Sequence, residues 1–181
     1  LFRFGGDVRL ARTEEEVDAA VQKLGSPPVV GFDMEWHAPC VKNVSPSRTA
    51  LIQICSSAAF CAVFALGDFD EIFFSLRTFL WNQDVLKVGN NIEGDFKKLH
   101  KDFSDLKGLA GPYAELTSLM PQQPAKKRSL VDLALVYTGK KMDKDLGEGA
   151  LFDWTLPIIP ADQLEYAVND AAAGLEVYEA L

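Results

Sequence analysis

The stretch VVGFDMEW at residues 29–36 limits the fold of this chain more than any other segment, because it is apolar apart from two acids. It follows a Pro-Pro turn, and a short apolar run of this kind predicts a buried β-strand. Residues i and i+2 of a strand point to the same face, so Asp33 and Glu35 are expected to project together. The fold must therefore place something beside this strand that compensates two neighbouring carboxylates.

A divalent cation is one way to compensate two carboxylates on a buried strand. Like charges about 4 Å apart repel by roughly 4 kcal/mol at an effective dielectric near 20, and burial adds to this cost. Magnesium and manganese are hard cations that prefer oxygen ligands. Taken alone, however, an Asp-x-Glu pair at a strand end is more often solvated or ion-paired than bound to metal.

The rest of the chain predicts further strands followed by helices. Thr13 and Glu16 have the spacing of a capping box, which marks the start of the first helix. The strands after VVGFDMEW suggest a meander, and the Gly- and Pro-containing stretches 108–124 and 145–160 are expected to be surface loops. The chain thus predicts an α/β fold in which a mixed sheet is covered by helices. We expect helices at about 13–24, 70–82, 94–103, 130–139 and 161–181, and strands at 29–36, 50–55, 59–66 and 86–91.

Length and composition favour a single domain, residues 1–181, with one functional site. The chain has 181 residues, of which 48% are hydrophobic, and it begins with Leu, so we expect a domain cut from a longer protein. We expect it to be soluble and intracellular with no membrane partner, because it has neither a long apolar run nor a leader. The cysteines Cys40, Cys55 and Cys61 form no zinc pattern and are expected to be reduced and structural.

The net charge of -8 argues at face value against a partner made of phosphates, because nucleic-acid-binding proteins usually carry a basic surface. This argument weakens if several acids are metal ligands, since bound cations neutralise them. It weakens further because basic residues are grouped along the chain, as Lys97-Lys98, Lys126-Lys127-Arg128 and Lys140-Lys141.

Two later motifs add acids to the pair on the first strand. In VGNNIEGDFKKL an apolar strand runs into a helix, which places Asp95 near a helix N-terminus. In QLEYAVNDAAAG, Tyr166 and Asp170 stand four residues apart and therefore share one helical face. Each motif has a simple alternative, a helix-start acid favoured by the dipole or an ordinary amphipathic helix. Their occurrence in one chain, in this order, favours a shared site.

These motifs resemble the DEDDy branch of the 3′-5′ exonucleases, named for four acids and a tyrosine, and in particular its Werner syndrome exonuclease-type domains. The resemblance implies a ribonuclease H-like fold and a metal-dependent enzyme that releases nucleoside monophosphates from the 3′ end of nucleic acid, with DNA favoured. The matching segments cover nearly the whole chain from about residue 28: VGFDMEW, ALIQIC, KVGNNIEGDFKKLHKDF, SLVDLALVYTGKKMDK, Trp154 with the proline-containing segment after it, and QLEYAVNDAAAGLEVY.

The resemblance also implies a catalytic role for each acid. Asp33, Glu35 and Asp170 would bind one divalent cation, Mg²⁺ or Mn²⁺, and Asp33 would bridge to a second that Asp95 supports through water. Tyr166 would hydrogen-bond the attacking water. Because an unperturbed tyrosine titrates near 10, we expect it to orient this water rather than to deprotonate it.

Substrate contacts follow from the same resemblance. Met34 and Trp36 flank the acids and would lie near the terminal nucleotide, and Asn91 matches a family position near the phosphate. Candidate phosphate contacts, which would make activity fall with salt, are Lys97, Lys98, Arg128, Lys140 and Lys141. Arg128 stands where Werner-type domains usually have Trp, and Ser118 where many have Asp. These departures bear on substrate preference more than on chemistry.

Several alternatives stay open on the sequence. One is a catalytically weak nucleic-acid-binding or scaffold domain, against which the intact acids and tyrosine weigh. A second is an RNA-processing exonuclease of the ribonuclease D type, since nothing identifies a reader of the 2′-hydroxyl. A phosphatase of the haloacid dehalogenase type fits less well, because it needs a second Asp where Glu35 stands. A nuclear location, a role in DNA repair and an attached helicase or protein partner follow only from the Werner-type resemblance.

Overall fold

A six-stranded sheet forms the centre of the structure, a computed structural model that describes residues 1–37, 45–67, 69–106, 111–120, 129–143 and 152–181. Its strands are β1 (Asp7–Ala11), β2 (Val29–Glu35), β3 (Leu51–Ser57), β4 (Phe60–Ala65), β5 (Leu86–Gly89) and β6 (Tyr113–Glu115). They lie in the order β1-β4-β3-β2-β5-β6. β3 runs antiparallel to β2 and β4, and the other neighbours are parallel. The predicted meander and the mixed sheet are confirmed.

Helices cover both faces of this sheet. They are α1 (Glu14–Leu24), α2 (Phe74–Trp81), α3 (Ile92–Asp102), α4 (Leu116–Leu119), α5 (Leu130–Thr138) and α6 (Ala161–Glu179). One apolar core lies between the sheet and α1, α2 and α3, and a second lies between the sheet and α4, α5 and α6. Within the described residues, no helix combines the length and the apolar character needed to cross a bilayer.

Alternation along β2 decides which side chains face which helix layer. Val30, Phe32 and Met34 belong to the core under α1–α3. The intervening Asp33 and Glu35 therefore face α6, together with Gly31. A Cβ atom at Gly31 would lie 2.1 Å from the Ala171 carbonyl oxygen, so glycine is what lets the α6 backbone cross this close to the strand. The sheet and α6 thus meet directly beside the two acids.

Most of the predicted elements are confirmed, with shifts at their ends. Glu16 N donates to Thr13 Oγ1 at 3.3 Å and Thr13 N donates to Glu16 Oε2 at 3.2 Å, which is the predicted capping box. α3 begins at Ile92, two residues before its predicted start, because the turn after β5 ends at Asn91 in a left-handed conformation with φ of 64°. α2 begins only at Phe74, so its predicted start was too early.

The prediction of a surface loop over residues 108–124 was wrong in part, since β6 and α4 lie within it. β1 was not predicted either. Both strands are at the edges of the sheet, and they have only five and three residues, most of them at least partly exposed. In the second predicted loop, residues 144–151 lie outside the described part of the chain, and Trp154 is buried rather than on the surface.

The expectation of reduced cysteines is contradicted for two of the three. Cys55 and Cys61 form a disulfide. They are direct register partners on the antiparallel strands β3 and β4, with Cα atoms 4.1 Å apart, and this pairing brings their side chains together on one face. Cys40 lies outside the described residues.

Candidate active site

Three acids converge where β2 ends and α6 crosses it. Asp33 and Glu35 come from the last residues of β2, and Asp170 comes from the middle of α6. One carboxylate oxygen of each lies within 4.8 Å of the corresponding oxygens of the other two. In the part of the chain that the structure describes, this is the one group of three or more potential ligands with the spacing of a metal site. The set is suited to a hard divalent cation, because all the ligand atoms are carboxylate oxygens.

Asp95 joins these acids from the opposite helix layer. It lies in the first turn of α3 and is buried, with Asp95 N donating to Asn91 O at 3.2 Å. The next residue, Phe96, stacks on Phe32 of β2 with ring centroids 5.0 Å apart, which packs the start of α3 against the strand that bears Asp33 and Glu35. The predicted placement of Asp95 near a helix N-terminus at the sheet edge is therefore observed.

Burial, and after it the repulsion between neighbouring carboxylates, raises the pKa values of these acids and so disfavours their ionised forms. Burial raises the pKa of Asp33 well above its usual value, and the charges of Glu35, Asp170 and Asp95 raise it further. Burial and the charges of Asp170 and Asp95 do the same to the pKa of Glu35. Burial also raises the pKa of Asp170 to about 7, although the hydrogen bond from Tyr166 opposes this shift.

Glu115 is an acid of this region that sequence reasoning missed. It ends β6, and its charge, after burial, helps to raise the pKa of Asp95 to about 7. Its carboxylate accepts hydrogen bonds from Thr117 N at 3.3 Å and Thr117 Oγ1 at 3.1 Å, so it also caps α4. Recognising it required the position of β6 beside β5, which three residues of strand do not reveal in sequence.

Tyr166 lies one helical turn before Asp170 and forms a hydrogen bond with it. Burial raises the pKa of Tyr166 far above its usual value, and the nearby charges of Asp170, Glu35 and Asp33 raise it further. The phenol is therefore a hydrogen-bond donor and not a base. Its ring packs against Trp154, with centroids 6.4 Å apart.

A cavity of about 260 Å³ opens above these groups. It brings together the five predicted catalytic residues and three of the predicted substrate contacts. Asn90 is an additional wall residue that the sequence did not single out. The lining residues are Asp33, Met34, Glu35, Trp36, Asn90, Asn91, Asp95, Tyr166 and Asp170.

The predicted basic contacts lie outside this cavity. Lys97 pairs with Glu93 at 2.6 Å and lines a neighbouring depression that shares Asn90 and Asn91 with the catalytic cavity. Lys140 pairs at 2.7 Å with Glu176, which lies six residues beyond Asp170 on α6.

Lys141 is exposed and does not line the cavity, and Arg128 lies outside the described residues together with Lys126 and Lys127. Contacts of Lys141 and Arg128 with substrate therefore stay predictions.

Comparison with known proteins agrees with this geometry. Residues 8–181 match the model of a 3′-5′ exonuclease family. The chain is 36% identical over 161 residues to the mouse bifunctional 3′-5′ exonuclease/ATP-dependent helicase WRN, covering 88% of this chain and 11% of that protein. It is 29% identical over 192 residues to a 3′-5′ exonuclease of Arabidopsis thaliana, covering 99% of this chain and 65% of the relative. The chain thus spans only part of these relatives.

Solved structures share the fold at lower identity. The EXO domain of Aedes aegypti Nibbler superposes with a TM-score of 0.83 at 19% identity, covering 99% of this chain and 90% of that one. Trypanosoma brucei RNase D in complex with RNA U12 superposes with a TM-score of 0.79 at 18% identity, covering 98% of this chain and 63% of that one. With a family match that runs from β1 to the end of α6, this chain belongs to the 3′-5′ exonuclease family and has its ribonuclease H-like fold.

Proposed function

We propose that this domain removes nucleotides one at a time from the 3′ end of a DNA strand by hydrolysis, with two divalent cations held among Asp33, Glu35, Asp95 and Asp170. The observation that carries this proposal is the convergence of three carboxylates within 4.8 Å of one another, with Asp95 and Tyr166 lining the same cavity. The family membership supplies the reaction class, and the direction of degradation is that of the family.

The donor set fits a divalent cation. Buried carboxylates with raised pKa values are destabilised as anions, and a positive ion at their centre removes both the repulsion and part of the desolvation cost. We assign Asp33, Glu35 and Asp170 to one cation and Asp33 with Asp95 to the other. Such ions supply charge neutralisation at a transferring phosphate and increase the acidity of water. Magnesium and manganese both suit these ligands.

The protein groups around the acids orient the reactants. Tyr166 keeps its proton, so in this mechanism its hydroxyl donates a hydrogen bond and fixes the attacking water rather than accepting its proton. Trp36 and Met34 form the wall beside Glu35, where the terminal nucleotide would pack. Asn91, held in a left-handed conformation at the mouth of the cavity, would contact the phosphate.

The preference for DNA follows from the Werner-type resemblance of the sequence, and the mouse relative is a bifunctional 3′-5′ exonuclease and ATP-dependent helicase. RNA is the second candidate substrate, because Trypanosoma brucei RNase D, bound to RNA U12, has the same fold. A nuclear location and a role in DNA repair belong to the same proposal and follow only from the Werner-type resemblance.

The test is degradation of a 5′-labelled duplex with a recessed 3′ end, in magnesium, manganese or chelator, beside Asp33→Ala. We expect a metal-dependent ladder that shortens from the 3′ end and is absent for Asp33→Ala. An RNA strand of the same sequence, run in parallel, tests the choice of sugar. If neither strand is degraded while the folded domain still binds them, the catalytic proposal fails and a nucleic-acid-binding domain is the correct description.

A further inference from the structure

Lys98 is a lysine of α3 that the sequence assigned to phosphate binding and that the structure uses differently. Its side chain is 16% exposed, and that of its partner Asp102 is 8% exposed. Lys98 Nζ forms an ion pair with Asp102 Oδ2 at 2.8 Å and donates to Ser47 O at 2.8 Å. The ammonium also lies 5.2 Å from the ring centroid of Trp36. Its donors are thus directed at protein groups and not at solvent.

The Lys98 ammonium contacts Trp36, a residue that lines the cavity. Trp36 directly follows Glu35 and lines the cavity. A cation over the face of an indole is attracted by the ring, most strongly where water is excluded. Since Lys98 is itself fixed by Asp102 and by the Ser47 carbonyl, the contact limits the positions that the Trp36 ring can take.

Hydrogen bonds connect Asp102, through Thr49 and the adjacent Ala50, to the backbone of β2, the strand that bears Asp33 and Glu35. Its Oδ2 atom accepts hydrogen bonds from Thr49 N at 2.7 Å and from Thr49 Oγ1 at 2.9 Å, and Thr49 is fully buried. The following residue, Ala50, donates its N–H to Glu35 O at 2.8 Å. Burial alone would raise the pKa of Asp102, but the hydrogen bonds from Lys98 and Thr49 hold it below its usual value. The carboxylate is therefore ionised beside the ammonium.

The arrangement follows from the spacing on α3. Asp95, Lys98 and Asp102 stand at i, i+3 and i+7 and therefore lie along one face of the helix, which is the face toward the ends of β2 and β3. Lys101, three residues beyond Lys98, is exposed to solvent. One helix face thus carries a candidate metal ligand and the pair that holds the wall of the cavity.

We propose that Lys98, fixed by Asp102, is a positioning residue that sets the indole of Trp36 against the terminal nucleotide and so determines how tightly substrate binds. This inference rests on the proposed function in one respect, the place of Trp36 beside the terminal nucleotide. A wall of this kind contacts the substrate before and during reaction, so its loss raises KM and leaves kcat nearly unchanged.

The test compares Lys98→Met, Trp36→Ala and the double variant in steady-state degradation of a 5′-labelled oligonucleotide, with Lys101→Met as the matched control. We expect Lys98→Met to raise KM by about three- to tenfold with kcat within about twofold, and Lys101→Met to change neither. Trp36→Ala raises KM at least as much. In the Trp36→Ala background, Lys98→Met has no further effect, because the two residues act through one contact.

Salt dependence separates positioning from phosphate binding. The slope of log KM against log salt stays that of the wild type in Lys98→Met, whereas loss of a phosphate contact would reduce it by about one. A reduced slope, or an additive effect in the double variant, overturns the proposal.

If Trp36→Ala raises KM and Lys98→Met does not, this inference alone fails. If Trp36→Ala leaves KM unchanged, the placement of Trp36 in the proposed function fails as well.

Thermal unfolding of each variant shows whether a change in KM accompanies loss of structure. If Lys98→Met does not fold, Asp102→Asn takes its place. It keeps an oxygen that accepts from Thr49 and removes the charge that holds the ammonium. We expect KM to rise in Asp102→Asn as well, but by less than in Lys98→Met. An unchanged KM in folded Asp102→Asn would contradict the role of the Lys98–Asp102 pair.

Discussion

The role that we propose for Tyr166 is to orient the attacking water and not to act as a base. Its hydroxyl stays protonated beside three acids, and its ring packs on Trp154. Tyr166→Phe keeps this packing and removes only the hydrogen bond, so we expect folding to be unchanged and kcat to fall by about ten- to a hundredfold through misplacement of the attacking water. Steady-state kinetics beside thermal unfolding measures both effects. Full activity in Tyr166→Phe would contradict the orienting role.

The raised pKa values of the acids predict a pH dependence of stability that a cation removes. Burial raises the pKa of Asp95 and that of Asp170 to about 7, well above the usual value of 3.8. Between these values the folded state binds more protons than the unfolded state, so the free energy of unfolding falls as pH rises. We expect the melting temperature of the metal-free protein to drop between about pH 4 and pH 7, and magnesium or manganese to reverse this drop.

Asp170→Asn is the matching variant for this measurement. It removes one of the repelling charges, so the melting temperature of the metal-free variant should vary less with pH than that of the wild type. If the melting temperature of the wild type in chelator does not change over this pH range, burial and mutual repulsion do not destabilise the ionised acids.

The packing of α6 on β2 is the element-scale feature on which the site depends. A Cβ atom at Gly31 would meet the Ala171 carbonyl oxygen at 2.1 Å, and a backbone atom cannot swing aside as a side chain can. We expect Gly31→Ala to reduce the free energy of unfolding by at least about 2 kcal/mol and to lower activity, because α6 carries Asp170 and Tyr166. Gly5→Ala is the control, since a Cβ there meets nothing within 4 Å. Urea unfolding of both variants makes the comparison.

The elements predicted from sequence were those with a local signal. The apolar run of β2, the capping box at Thr13 and the periodicity of α6 are visible in the residues themselves. β1 and β6 carry no such signal, because they have only five and three residues, most of them at least partly exposed, and are held by pairing with β4 and β5. The start of α3 was misplaced because the left-handed turn at Asn91 replaces the break that Gly94 suggested.

The same distinction, between a local sequence signal and dependence on strand pairing, applies to the residues of the candidate site. Spacing alone put Asp33 with Glu35 on one strand face and Tyr166 with Asp170 on one helix face, whereas the roles of these pairs and of Asp95 in one site followed from the family resemblance. Glu115 and Asn90 could not be predicted, because their positions depend on which strand ends meet at the sheet edge. The same holds for the disulfide, which depends on the register that sets Cys55 opposite Cys61.

At the scale of the whole molecule, the charge of -8 has to be reconciled with a polyanionic substrate. Two bound divalent cations would halve this negative charge. The neutralised charge would lie among the four acids, where the phosphate must approach. The lysines around the site offer little compensation in the described part of the chain. Lys97 pairs with Glu93, Lys98 with Asp102 and Lys140 with Glu176. Binding of the substrate should therefore depend on the cations more than on basic side chains.

We therefore expect substrate binding to require the metal and to depend weakly on salt. With an oligonucleotide whose 3′-terminal linkage resists hydrolysis, fluorescence anisotropy should show binding in magnesium or manganese and its loss in chelator. The slope of log affinity against log salt should be shallower than about -3, which corresponds to few phosphate contacts. Asp33→Ala should lose the metal dependence together with most of the affinity. A steep slope that persists in chelator would mean that basic residues dominate binding, and it would direct attention to Lys126, Lys127 and Arg128.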